Sequence, residues 1–181
     1  MRSAAQRLEE CLQRRPVLMG IGSRWQGDDA AGPALIARVA GRIQATCIDA
    51  GDAPERHLGE ARGAGSDAIL LLDAVDFGGS PGEITILRAE ELPARVGTTH
   101  NPSLGLIMRY LEAESGAQVL LLGIQPASIG FGKPISAPVL ASLEALARML
   151  EARLGATPEA NHMQPAAGPR HAANREGGQH R

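Results

Sequence analysis

The 181-residue chain is short of the residues that build several common kinds of site. Its two cysteines, Cys11 and Cys47, are too few and too isolated for a disulfide framework or a thiolate metal centre. Reduced thiols in a cytosolic protein are the simplest reading. Aromatic residues make up only 2% of the chain, so a base-stacking platform for nucleic acid is not expected. A formal net charge of −2 supplies no basic footprint for nucleic acid or an acidic membrane. No apolar run approaches the ~18 residues that suggest a membrane span. The N-terminal stretch MRSAAQRLEECLQRR is charged throughout and lacks the apolar centre of a signal peptide. These absences leave a soluble, globular, cytoplasmic protein as the expectation, with no nucleic acid and no membrane insertion.

What is present is an alternation of short apolar runs with helical spacing. Val17 to Ile21, Thr46 to Ile48, Ala68 to Leu72 and Gln118 to Ile124 read as buried strands. Helical stretches run from about Ala30 to Arg42, Pro54 to Gly63, Asn101 onward, and through Val139, Leu143, Leu146, Leu150 and Leu154. Glu83 to Leu87 alternates behind the Pro81-Gly82 turn and reads as a more exposed strand. Alternating strands and helices argue for an α/β fold with a mostly parallel sheet covered on both faces. Residues 1–15 form an N-terminal extension, with Leu8 and Leu12 on one side of a short helix, and residues 16–155 form the domain. Residues 156–181 contain no Leu, Ile, Val or aromatic residue, so a disordered tail is expected. His162, His171 and His180 fall in that tail and are set aside as metal ligands.

The segment GIGSRWQGDDAAGP, residues 20 to 33, starts like a phosphate-binding loop and then reverses its charge. Gly22 and Gly27 have the right spacing, but Asp28 and Asp29 stand where such a loop carries Lys and Ser or Thr. Two carboxylates there would repel a phosphate by several kcal/mol at an effective dielectric of about 20. The dinucleotide fingerprint fails too, because Trp25 occupies the place of its third glycine. Asp28 and Asp29 as simple caps of the following helix remain one reading, since a helix N-terminus favours anionic side chains.

The other reading rests on where further polar groups fall. Asp49 and Asp73 each close an apolar strand, at the sheet edge where open α/β folds bind ligands. Asp29 follows the first strand, and His100 in TTHNPSLG directly precedes a helix whose N-terminus favours a neutral imidazole. Two carboxylates and one imidazole make a cation site with room for further ligands. Turn-forming Asp residues and an ordinary loop histidine are the plain alternatives. Asp76 reads as a solvated turn residue, His57 as a surface helix position, and Cys47 as an inert core thiol.

GIGSRWQGDDAAGP, IDAGDAPE, LLLDAVDFGGSPGEI, TTHNPSLGLIMRYL and LLGIQPASIGFGKP, in that order from Pro16 to Leu154, resemble the nickel–iron hydrogenase maturation endopeptidases. The likeness is strongest to the branch that serves formate-hydrogenlyase-type hydrogenase 3. The resemblance implies a three-layer α/β/α sandwich with a twisted, mostly parallel central sheet. It implies removal of a C-terminal peptide from the hydrogenase large-subunit precursor once nickel is inserted, in a peptidase classed as aspartic-type. Nickel would be supplied by the precursor rather than held permanently, and the enzyme is expected to be a monomer. The family's metal-binding positions fall on Asp29, Asp73 and His100, with Asp29 and Asp73 as catalytic candidates and Asp49 assigned to substrate recognition. A metal-polarised carbonyl, a metal-activated water and direct base catalysis by Asp29 or Asp73 all stay open. Two rival functions are a self-sufficient metal hydrolase and a non-catalytic metal- or partner-binding module. The chain departs from the family at Ser23, at Arg24-Trp25-Gln26 and at Gly132-Lys133, positions that bear on partner choice.

Overall fold

A computed structural model describes residues 3–92 and 101–155, with backbone alone for 101–103. His100 and the tail from residue 156, with its three histidines, lie outside the described residues. Among the described residues, five strands form one sheet: β1 (Val17–Ile21), β2 (Cys47–Gly51), β3 (Ala68–Ala74), β4 (Ile84–Leu87) and β5 (Gln118–Ile124). Their order is β2-β1-β3-β5-β4. The first four in that order run parallel, and β4 pairs antiparallel with β5 at the edge. Among the described residues, five α-helices flank the sheet: α1 (Ala4–Gln13), α2 (Ala31–Val39), α3 (Leu58–Gly63), α4 (Asn101–Ser115) and α5 (Ala137–Leu154).

Strand alternation divides the core in two. Leu18, Leu70, Leu72, Leu120 and Leu122 face α2 and α5, packing with Leu35, Ile36, Val39, Leu143 and Leu150. Val17, Met19, Ile69, Leu71 and Leu121 face α4, packing with Leu104, Ile107, Met108 and Leu111. Both faces of the three central strands are covered, which is why their sequences read as unbroken apolar runs rather than alternating ones. The result is the α/β/α sandwich, with a sheet that is parallel except at β4.

The N-terminal helix is part of this packing. Ser3 and Gln6 close a capping box at its start, and Cys11 and Leu12 are buried in the α2/α5 core. Arg7 ties the helix to Glu91 by an ion pair. The apolar spacing of Leu8 and Leu12 therefore marks a face that docks, and α1 covers the sheet beside β4.

Candidate active site

The chain leaves β1 through α2 to reach β2 on one side, then crosses back through α3 to β3 on the other. The crossover directions diverge between β1 and β3, which makes their carboxyl ends the topological switch point. The glycine loop and Asp73 both sit there.

Steric fit between backbones explains the glycines. Gly22 has φ +126°, and a Cβ on it would lie 1.9 Å from the carbonyl oxygen of Asp29. At Gly32, in the first turn of α2, a Cβ would lie 2.3 Å from the carbonyl oxygen of Leu72 and 2.4 Å from that of Ile21. The loop folds onto its own acid, and α2 starts against the ends of β1 and β3.

The two acids of the doublet have different tasks. Asp28 is 0% exposed. Its Oδ2 accepts from the backbone N–H of Ala127 at 2.7 Å and of Ser128 at 3.0 Å, while Oδ1 accepts from Ser136 N–H at 2.6 Å. It clamps the loop after β5, about a hundred residues away. Asp29 lies in a single 3-10 turn, Gly27–Ala30, and is 3% exposed. Its Oδ2 accepts from Ser23 N–H at 2.6 Å. Neither side chain caps the turn or α2, so the capping reading is set aside. The Ser23 bond comes from backbone, so the departure from the family at this position leaves it intact.

Asp73 is the sixth residue of β3 and also 3% exposed. Burial, and then the neighbouring charge of Asp29, hold its carboxyl well above the usual aspartate range, against a small opposing pull from the Ala74 backbone. The structure thus brings Asp29 and Asp73 together as a buried acid pair. Such a pair favours either a shared proton or a cation between the carboxylates. Among the described residues, no group of three or more His, Cys, Asp or Glu side chains is arranged to hold a metal ion.

Asp49 sits apart from the pair. The strand runs on to Gly51, so Asp49 is in the middle of β2, opposite Gly20, rather than at a strand end. The sequence misleads because β2 is an edge strand whose later residues are small. Its carboxylate is a third exposed and pairs with Arg24 from the glycine loop.

Asp76 is exposed and accepts from Gly78 N–H at 3.1 Å and Gln125 Nε2 at 3.0 Å, bonds that lower its pKa. Gln125, buried at the end of β5, also accepts from Phe77 and Gly79 N–H, and so fixes the loop after β3. Sequence reasoning passed over Gln125 and the clamp by Asp28, because their partners are backbone groups far along the chain. His57 stays outside the site, with Nδ1 3.3 Å from the Glu60 carboxylate. Both cysteines are free. Burial pushes the Cys11 thiol up to about 12 and raises Cys47 too, which suits packing rather than nucleophilic attack.

A doubly wound sheet with paired acids at its switch point is a framework for hydrolytic acid–base chemistry. Comparison with known proteins narrows the class. The HycI family model, described as hydrogenase maturation protease, matches residues 33–153. The hydrogenase 3 maturation protease of Escherichia coli K12 is 35% identical over 138 residues, covering 75% of this chain and 88% of that protein. The structure resembles the NiFe hydrogenase maturation protease HycI of Thermococcus kodakarensis KOD1 with a TM-score of 0.74. That likeness has 28% identity and covers 81% of this chain and 97% of that one. The HycI endopeptidase of Escherichia coli, solved in solution, gives 0.69 at 34% identity, over 76% and 89% of the two chains. The chain belongs to the hydrogenase maturation protease family.

Proposed function

We propose that this protein removes a C-terminal peptide from a nickel–iron hydrogenase large-subunit precursor after nickel insertion, reading the bound nickel as its licence to cut. The observation that carries this reading is the buried Asp29–Asp73 pair at the β1/β3 switch point. In the free enzyme burial, and then the neighbouring charge of Asp29, shift Asp73 towards its protonated form. A precursor that presents a divalent ion supplies the positive charge the pair lacks. Asp29, Asp73 and His100 are the proposed ligands to the precursor's nickel. His100 enters on sequence grounds, as the residue before α4, the helix that covers the Ile69–Leu71 face of β3.

The pair is also suited to the proton transfers of peptide hydrolysis. In its ionised form an aspartate of the pair accepts a proton from water as the oxygen attacks the scissile carbonyl. The proton taken from the water is then passed to the leaving amine, the acid–base cycle of an aspartic-type peptidase. Asp49 is proposed to recognise substrate, by exchanging Arg24 for a group on the precursor.

The test is cleavage of purified precursor, with and without nickel, followed by intact mass. The nickel-loaded form should lose its C-terminal peptide and the nickel-free form should stay whole. Equal cutting of both would remove the nickel checkpoint. Parental activity in His100→Ala would remove that ligand.

A further inference from the structure

The protein has four aromatic side chains, one Trp, one Tyr and two Phe, and none of them is buried in either core. Two stand on loops that follow β1 and β5, at the end of the parallel strands that also carries the acid pair. Trp25 is 71% exposed and Phe131 is 83% exposed. Trp25 is in the loop that Ser23 and Asp29 close, four residues before Asp29 itself. Phe131 is in the loop that Asp28 clamps.

These loops are joined. Gly132 N–H donates to the carbonyl of Trp25 at 2.7 Å, and Asp28 N–H donates to the carbonyl of Ser128 at 3.0 Å. With the three bonds to the Asp28 carboxylate, the two aromatic segments form a single braced ledge. The backbone that carries the two exposed rings is therefore braced rather than a fraying loop. An aromatic ring held in water on a rigid support has little entropy left to lose on contact, which is what a recognition anchor requires.

The ledge also carries a charge. Lys133 is the only lysine in the chain, beside seventeen arginines. Its Nζ donates to Ser128 Oγ at 3.2 Å, and it forms no ion pair among the described residues. Arg24, in the facing loop, is already engaged by Asp49. The free positive charge next to the aromatics is thus an ammonium.

We propose that Trp25, Phe131 and Lys133 form the docking ledge for the precursor. It takes a polypeptide segment that lays an apolar side chain across the two rings and sets a carboxylate against Lys133. The inference rests on the precursor reading above and adds where specificity is exercised. The ledge continues directly into the Asp29 loop, so a segment seated on it is delivered to the acid pair. The complementary partner is apolar and acidic at neighbouring positions, and precursors without that combination are turned away before any chemistry.

Trp25 is the sole tryptophan, which provides a readout separate from cleavage. Protein labelled with 5-fluorotryptophan has one fluorine resonance, and unlabelled nickel-loaded precursor adds none. Titration with that precursor should shift or broaden the resonance. Trp25→Ala and Phe131→Ala should each raise KM about tenfold, with a smaller change in kcat and an unaltered melting temperature. Lys133→Glu should do the same, and Lys133→Arg should restore most of the loss. The ledge is overturned if the precursor is cut while the resonance stays put and the alanine variants keep the parental KM. It is equally overturned if the resonance moves with protein concentration alone, since a second copy of the chain would then be the occupant. If the precursor neither binds nor is cut, the precursor reading falls and takes the ledge with it.

Discussion

Ser23 donates its backbone N–H to Asp29 Oδ2 at 2.6 Å, so the glycine loop is closed on the acid that follows it. A loop of this shape normally aims its N–H groups at a ligand's phosphate. Here one of them is satisfied by the protein's own carboxylate, which holds that carboxylate at the carboxyl ends of β1 and β3. The charge reversal in the sequence is thus a change in what the loop grips.

Gly22→Ala tests that hold. The position has φ +126°, and a methyl there would meet the Asp29 carbonyl oxygen at 1.9 Å. Backbone strain alone costs ~1–3 kcal/mol, and relief of the clash must move the turn carrying Asp29. Cleavage is expected to fall about 100-fold or more, in line with the effect of an ångström-scale misplacement. Thermal unfolding and a cleavage time course measure the two effects, and a variant with parental activity would refute the assigned role of the loop.

Asp73→Asn separates stability from activity. The folded-state pKa of Asp73 lies above the ordinary value of 3.8, so the folded protein binds more protons than the unfolded chain just above that pH. Stability therefore falls as pH rises from 3.8 through the folded-state pKa, and the penalty is complete above it. Asparagine has no charge to desolvate or to oppose Asp29. The metal-free variant should melt higher than the parent at neutral pH, with a flatter pH dependence, while failing to cut precursor. Identical melting profiles from acid to neutral pH would show that the pair is not strained by its charge.

The strands and helices were legible where burial imposed a single pattern, as in Ala68–Leu72 and the Val139–Leu154 stripe. Bounds slipped where packing decided them. The helix expected to reach Arg42 stops at Val39, because Gly41 turns back with φ +77°. The two members of the buried acid pair were legible because each comes after an apolar run, Val17–Ile21 or Ala68–Leu72. The split between Asp28 and Asp29 was not, since two adjacent identical residues differ only in which distant backbone they face. Asp49 and Asp73 look alike in sequence as acids after apolar runs, yet an edge strand leaves one near solvent and a central strand buries the other.

Asp28→Ala should detach the loop after β5 without touching the acid pair directly. The substitution leaves the N–H groups of Ala127, Ser128 and Ser136 without their acceptor. A buried donor left unsatisfied costs ~1–3 kcal/mol, and since these three bonds are part-buried and water can reach the freed groups, a total loss of about 2 kcal/mol is expected. Amide hydrogen exchange in residues 127–136 should quicken before global unfolding is reached. Unchanged protection there would mean the clamp contributes little.

The cysteines provide the test of whether a thiol takes part. Burial raises both, Cys11 to about 12, so at neutral pH each is a protonated, covered thiol in a packed element. A disulfide reagent should leave Cys11 untouched in the native protein and react slowly with the half-buried Cys47. In denaturant both should react at once. Cys47→Ala should cut precursor at close to the parental rate, because its strand position faces the α2 core rather than the acid pair. Loss of cleavage in that variant, with its melting temperature retained, would make the thiol the nucleophile and displace the carboxylates from that role.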